Sequence, residues 1–304
     1  MTPVACHGRP AFRWENDHLR VTALAQGGHI AEIRHKSLGL NPLWTPPWPT
    51  IDPLTYHSAL HPEYGPAPEA QLLSGIAGHN WCVDLFGPPS TAEAAAGYCV
   101  HGEASVVTYD AGYAATLPLS QLRVQRHLEL DGLQLHFREE VENLLPFDRS
   151  IAWQEHVTLG PPFVEPGVTV VEASVLRSAD LNEYDYEWSD RRYPLAVPSA
   201  SVHGHLLTRG EVRVANPRLG LALRYEWDLQ DFPWLTTWVE NQSRTHAPWL
   251  GRTTAWGIEF GASPLPETRF RRAMRGLFWG APTAIWLPAF GKRQIAYKLT
   301  VEAA

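Results

Sequence analysis

The chain is poor in the residues that would announce several familiar protein classes. It has 304 residues and only three cysteines, Cys6, Cys82 and Cys99. An odd number without Cys-x-x-Cys spacing excludes a disulfide framework and fits free thiols in a reducing compartment. No apolar run approaches the ~20 residues that span a bilayer. The start, Met1-Thr2-Pro3-Val4-Ala5-Cys6-His7-Gly8, lacks the basic segment and apolar run of a secretory leader, so a cytoplasmic protein is expected. Basic charge is also short: 25 Lys and Arg against 32 Asp and Glu give a net charge of -7. That balance argues against a nucleic-acid partner and against a membrane surface. No Gly-x-x-x-x-Gly-Lys phosphate loop, Gly-x-Ser-x-Gly elbow or His-Glu-x-x-His zinc motif occurs.

What is abundant is different. There are 13 tryptophans and 14 histidines against 2 methionines. A flat indole suits the C–H face of a pyranose, although tryptophan also simply fills β-cores. The 26 prolines and 23 glycines interrupt the chain throughout and leave little room for long helices. Alternating strand patterns dominate. Leu19–Ala25 and His29–Lys36 flank Gln26-Gly27-Gly28 as a first hairpin. Leu122–Asn143 reads as a second, turning at Asp131-Gly132 and setting Arg123 opposite Glu140, with Arg126 and Glu139 breaking its apolar face. Further strands are expected at 104–109, 151–159, 168–176, 212–215, 221–227, 234–239, 253–260 and 295–301. Modest helices are expected at 69–76 and 268–274. With no linker or repeat, the pattern predicts one all-β domain over 1–304, a large sandwich of antiparallel sheets.

His156 is the most informative residue. In Ile151–Leu159 the alternation puts Ala152, Gln154, His156 and Thr158 on one face, and Ile151, Trp153, Val157 and Leu159 on the other with Glu155 as the exception. The imidazole therefore projects from a small, polar face, and it titrates near neutral pH. Glu259 repeats the logic. Thr253, Ala255, Gly257 and Glu259 share a face, and Trp256, Ile258 and Phe260 share the other. Small neighbours leave space above the carboxylate, and an apolar surround raises its pKa toward a general base's range. The plainer readings are a histidine bonded to a neighbouring strand and a solvated edge glutamate. His101-Gly102 places a third polar side chain at a strand mouth. His203 and His205 flank Gly204 and share a face, a spacing seen in cupin-like metal sites, but without a matching ligand cluster; no metal is expected.

In order, these segments resemble the aldose 1-epimerase (galactose mutarotase-like) superfamily, its bacterial branches more than the mutarotases proper. Gly27-Gly28-His29-Ile30 with Gly39-Leu40-Asn41-Pro42 resembles its opening hairpin. His101-Gly102 resembles its substrate-binding step, Trp153–Gly160 its catalytic-histidine strand, and Trp256-Gly257-Ile258-Glu259 its catalytic-glutamate strand. The resemblance implies a β-supersandwich with a cleft on one sheet face and a small-molecule sugar as the partner. It implies His156 as general acid at the ring oxygen, Glu259 as general base at the anomeric hydroxyl, and His101 on a sugar hydroxyl, with no cofactor. Where the family carries Asn-Arg, this chain reads His79-Asn80, so His79 and Asn80 join Gln154 and Trp238 as candidate substrate-binding residues. Asp180 and Asp185 both stand for the family's substrate-binding aspartate. Two other readings remain open: a carbohydrate-binding protein that has lost turnover, and a metal-dependent cupin-like isomerase using His203 and His205.

Overall fold

The computed structural model describes residues 1–65, 68–103, 107–109 and 113–304. The chain is all-β, as the alternation predicts, with three α-helices of one or two turns among the described residues. Sixteen strands are hydrogen-bonded into one continuous sheet, and every pairing among them is antiparallel. The sheet folds over on itself and buries a mostly apolar core. Phe260 stacks on Trp227 at 4.3 Å, and His79 lies 5.7 Å from Phe137, contacts between strands that are not neighbours in the sheet.

One strand joins the layers. Ser199–Asn216 pairs along its first half with Trp234–Asn241 and along its second with Leu221–Trp227. The sequence suggested only pieces of it, at 212–215 and around His203 and His205, because Gly204 and Gly210 interrupt the alternation. Gly210 is where a side chain does not fit: a Cβ there would lie 2.3 Å from the Trp227 carbonyl oxygen.

The second hairpin forms, but its turn sits one residue later. Asp131 pairs with Gln134, so Arg123 faces Glu142 rather than Glu140 and bonds it at 3.0 Å. The shift changes each partner by two, which preserves the faces. Of the strand expected at 104–109, residues 104–106 lie outside the described residues and Val107–Tyr109 is a strand. Both expected helices are present, as Ala70–Gly75 and Arg269–Arg275.

The two residues that break the hairpin's apolar face have a shared reason. Arg126 pairs with Glu139 across the hairpin and reaches Glu155 on the opposite layer at 2.5 Å. Its guanidinium also bonds the Tyr113 hydroxyl at 2.7 Å and lies 4.6 Å from the Trp81 ring centre. Tyr297 donates to Glu155 at 2.7 Å. Thus the exception on the His156 strand, Glu155, belongs to a buried ionic cluster between the layers. A buried charge survives there because it is paired and hydrogen-bonded.

Candidate active site

The strand Trp153–Leu159 lies between His79–Val83 and Thr254–Gly261, and all seven of its residues are buried. Register brings His156 directly opposite Glu259 on one neighbour and Asn80 on the other. Directly opposite residues share a face, so the three converge on the side away from the core. His156 Nε2 and Glu259 Oε1 are 3.1 Å apart, with both side chains at most 6% exposed. The Thr158 hydroxyl meets His156 Nδ1 at 3.1 Å. Gly257 makes room for the carboxylate, since a Cβ there would lie 2.5 Å from Glu259 Oε1 and 3.1 Å from Trp238 Cβ.

Burial governs the charge of the pair. It pushes the Glu259 carboxyl up to about 8 and the His156 imidazole down to about 4. At neutral pH the resting pair is therefore a carboxylic acid beside a neutral imidazole. The pair holds one acidic proton, and the net charge is the same whichever of the two groups carries it.

Other polar and aromatic groups surround the pair. The His101 ring lies 4.8 Å from His156 and stacks on Phe86 at 5.6 Å. His101 holds a positive φ of 66°, a strained backbone for a non-glycine residue that turns its ring toward His156. Its Nδ1 accepts from the Gly87 amide at 3.2 Å. Trp238 stands 6.3 Å from His156. The Arg244 guanidinium lies over Trp238 at 5.6 Å, held by Glu69 at 2.9 Å and Glu240 at 3.4 Å. A pocket beside the pair is lined by Gly27, His29, Gln71, Asn80, Cys99 and His101 among others. Asn80 Oδ1 is buried with no hydrogen-bond partner.

Two expected substrate-binding residues and two open readings need correction. His79 does not share the cleft: it is paired with Val157, so it points into the core and bonds Glu155 at 2.9 Å. Gln154 is on the correct face but is used up by backbone. Its amide donates to the carbonyls of Glu259 and Ser263 at 3.2 and 3.1 Å, and its oxygen accepts from the Ser263 amide. It braces the glutamate strand rather than offering groups to a ligand. His203 and His205 form no metal site, as His205 spends both nitrogens on the Ser178 and Thr237 hydroxyls, and His203 stacks on Tyr186 at 3.9 Å. Among the described residues no group of three His, Cys, Asp or Glu side chains is placed to hold a metal ion. Asp180 pairs with His203 four strands from His156, roughly 19 Å away at normal strand spacing, and Asp185 is exposed against Arg177.

Trp153 and Trp256 pack in the core, on the apolar faces that the alternation gives them. Two neighbours of the pair were not singled out from the sequence. Arg244 sits in a loop with no alternation to orient it. His29 follows a glycine turn, where a polar residue reads as ordinary surface.

The family described as "Domain of unknown function (DUF4432)" matches residues 95–283. No curated protein matches the chain. Solved structures do. A candidate aldose 1-epimerase from Klebsiella pneumoniae is 16% identical, with 97% of this chain and 80% of that one covered and a TM-score of 0.71. A galactose mutarotase-like protein from Clostridium acetobutylicum is 14% identical over 100% of this chain and 98% of that one, with a TM-score of 0.62. A galactose mutarotase-like protein from Lactobacillus casei is 14% identical over 96% and 100%, also at 0.62. At such identities the likeness concerns the fold, which is the β-supersandwich of the galactose mutarotase-like proteins. The chain belongs to the DUF4432 family, a domain of unknown function, and carries that fold.

Proposed function

We propose that this protein is an aldose 1-epimerase-like isomerase, acting as one domain over 1–304, that interconverts sugar anomers between His156 and Glu259. The observation that carries the reading is the in-register pair itself. Two groups whose environments push their pKa values past each other lie 3.1 Å apart and carry one acidic proton between them. Anomer exchange needs one donor and one acceptor acting together on a single ring.

In ring opening the donor protonates the ring oxygen as its bond to C1 breaks. The acceptor takes the anomeric hydroxyl proton as that oxygen becomes the carbonyl. C1 turns about the C1–C2 bond. Closure reverses both transfers on the other face of the carbonyl, so no proton is consumed overall. The sequence resemblance casts His156 as donor. Burial instead rests the proton on Glu259, and the tautomer with His156 protonated carries the same net charge. Either tautomer supplies one donor and one acceptor, and the ring oxygen draws the proton to whichever group it faces. His101 and Asn80 bind sugar hydroxyls, and Trp238 packs on the C–H face of the ring.

Polarimetry of freshly dissolved D-glucose, D-galactose and D-glucuronate tests the reading, with NMR exchange between the anomeric protons as a second readout. Catalysed equilibration is expected, falling about 10²- to 10⁴-fold in His156→Ala and Glu259→Gln, the usual contribution of a general acid or base. Sugar binding without acceleration in the wild type would establish the carbohydrate-binding alternative instead.

A further inference from the structure

We propose that His29 is a second sugar-binding side chain of this cleft, a neutral imidazole whose Nε2–H donates to a substrate oxygen. The identity of the ligand rests on the anomer-exchange reading; the donor assignment rests on geometry.

His29 follows the Gln26-Gly27-Gly28 turn and lines the same pocket as Asn80 and His101. Its Nδ1 accepts from the Ala77 backbone amide at 3.0 Å. A ring nitrogen that accepts carries no hydrogen, so the proton of the neutral ring sits on Nε2. Burial, helped by the Arg9 guanidinium, holds the ring neutral, with its pKa lowered to about 3. Among the described residues Nε2 has no protein acceptor. Gly27, at φ 81°, keeps that edge uncovered: a Cβ there would lie 3.2 Å from Cδ2 and 3.3 Å from Nε2.

His101 is built the same way. Its Nδ1 accepts from the Gly87 amide, and burial lowers its pKa well below the ordinary value. Two histidines from distant parts of the chain are thus locked by backbone amides into the same tautomer beside one pocket. His205, by contrast, uses both nitrogens, on the Ser178 and Thr237 hydroxyls. With the unpartnered Asn80 Oδ1, the pocket offers two fixed donors and one acceptor. Sugar hydroxyls, each a donor and an acceptor at once, complement that set.

The ring's two nitrogens can be tested separately. Asparagine at 29 places an oxygen near the Nδ1 position and keeps the acceptor for Ala77. Glutamine reaches the Nε2 position and keeps the donor. D-Galactose, D-glucose and D-glucuronate are titrated by calorimetry into wild type, His29→Asn and His29→Gln, with anomer-exchange KM and kcat measured in parallel. His29→Asn is expected to weaken Kd and raise KM about tenfold with kcat nearly unchanged, the loss of one neutral hydrogen bond. His29→Gln is expected to stay within about threefold of wild type. Equal binding by wild type and His29→Asn overturns the proposal, as does weaker binding by the Gln variant than by the Asn variant. Failure of all three sugars to bind the wild type also overturns it. If a sugar binds and His29→Asn weakens it, but no variant accelerates exchange, the donor role stands and the isomerase reading fails.

Discussion

Replacing Glu259 by glutamine should change how stability responds to pH, and the size follows from the two buried groups. In the native state the carboxyl is raised from 4.5 to about 8 and the imidazole lowered from 6.5 to about 4. A raised group contributes stability that is full below its unfolded pKa and lost as pH rises through the folded value. A lowered imidazole does the reverse, so its contribution falls as pH drops below 6.5. Between pH 4.5 and 6.5 the native pair holds its one proton on Glu259, while the unfolded chain holds one on His156. The two slopes cancel and wild-type stability from this pair is flat. From pH 6.5 to 8 only the native state keeps the proton, and stability should fall by 1.36 kcal/mol per unit, about 2 kcal/mol in all. Glu259→Gln keeps the shape and removes the titration. Its stability should hold level between pH 6.5 and 8, and fall by about 2 to 3 kcal/mol as pH drops from 6.5 to 4.5, where His156 alone remains. Urea unfolding of both proteins at pH 4.5, 6.5 and 8 measures this, and every other titrating group cancels in the difference. If the difference between the two proteins changes by less than about 0.5 kcal/mol from pH 6.5 to 8, Glu259 is already ionised at neutrality and the shared-proton argument is wrong.

The same pair predicts a bell-shaped rate of anomer exchange, with limbs near pH 4 and pH 8; a rate still climbing above pH 8 contradicts a proton held on the carboxyl. Gly257→Ala drives a methyl to within 2.5 Å of Glu259 Oε1, so it should cost about 1–3 kcal/mol of stability and about 10²-fold in rate, read by urea unfolding and polarimetry. A fully active alanine variant would show that the carboxylate does not need its present position. Arg126→Met strips Glu155 of its guanidinium between the layers and should cost about 3–5 kcal/mol, and a loss under about 1 kcal/mol in urea would mean that the cluster is already electrically neutral without the arginine.

Much of the fold was legible because strand alternation is local. The faces of 151–159 and 253–260 could be read residue by residue, and they hold in the structure. What alternation cannot supply is which strands become neighbours. Thr254–Gly261 lies about a hundred residues from Trp153–Leu159, so the partnership of His156 with Glu259 came from resemblance and not from pattern. Side-chain direction was hardest where a polar residue interrupts a buried run. His79 stands beside Asn80 in sequence, yet the pleat sends it to Glu155 in the core. Gln154 shares the His156 face, but its amide was committed to backbone carbonyls that no sequence window shows. The hairpin turn misled by one residue because Gly132 serves equally as the second residue of one turn or the first of the next, and its φ of 55° suits either.

Glu155 and His156, adjacent in the chain, face opposite ways, and each has its own ionisable partner. That arrangement guards the alignment of the sheet. A one-residue slip of this strand would exchange its faces. His156 would enter the space beside Arg126, and Glu155 would turn toward Glu259, so two carboxyl groups would meet on one side while Arg126 lost one of its two acidic partners on the other. A two-residue slip keeps the faces but offers Glu259 an amide or a hydroxyl, from Gln154 or Thr158, in place of the imidazole. Misaligned sheets would therefore be disfavoured during folding by unmatched buried polar groups. The residues proposed to serve the cleft also favour its assembly in register.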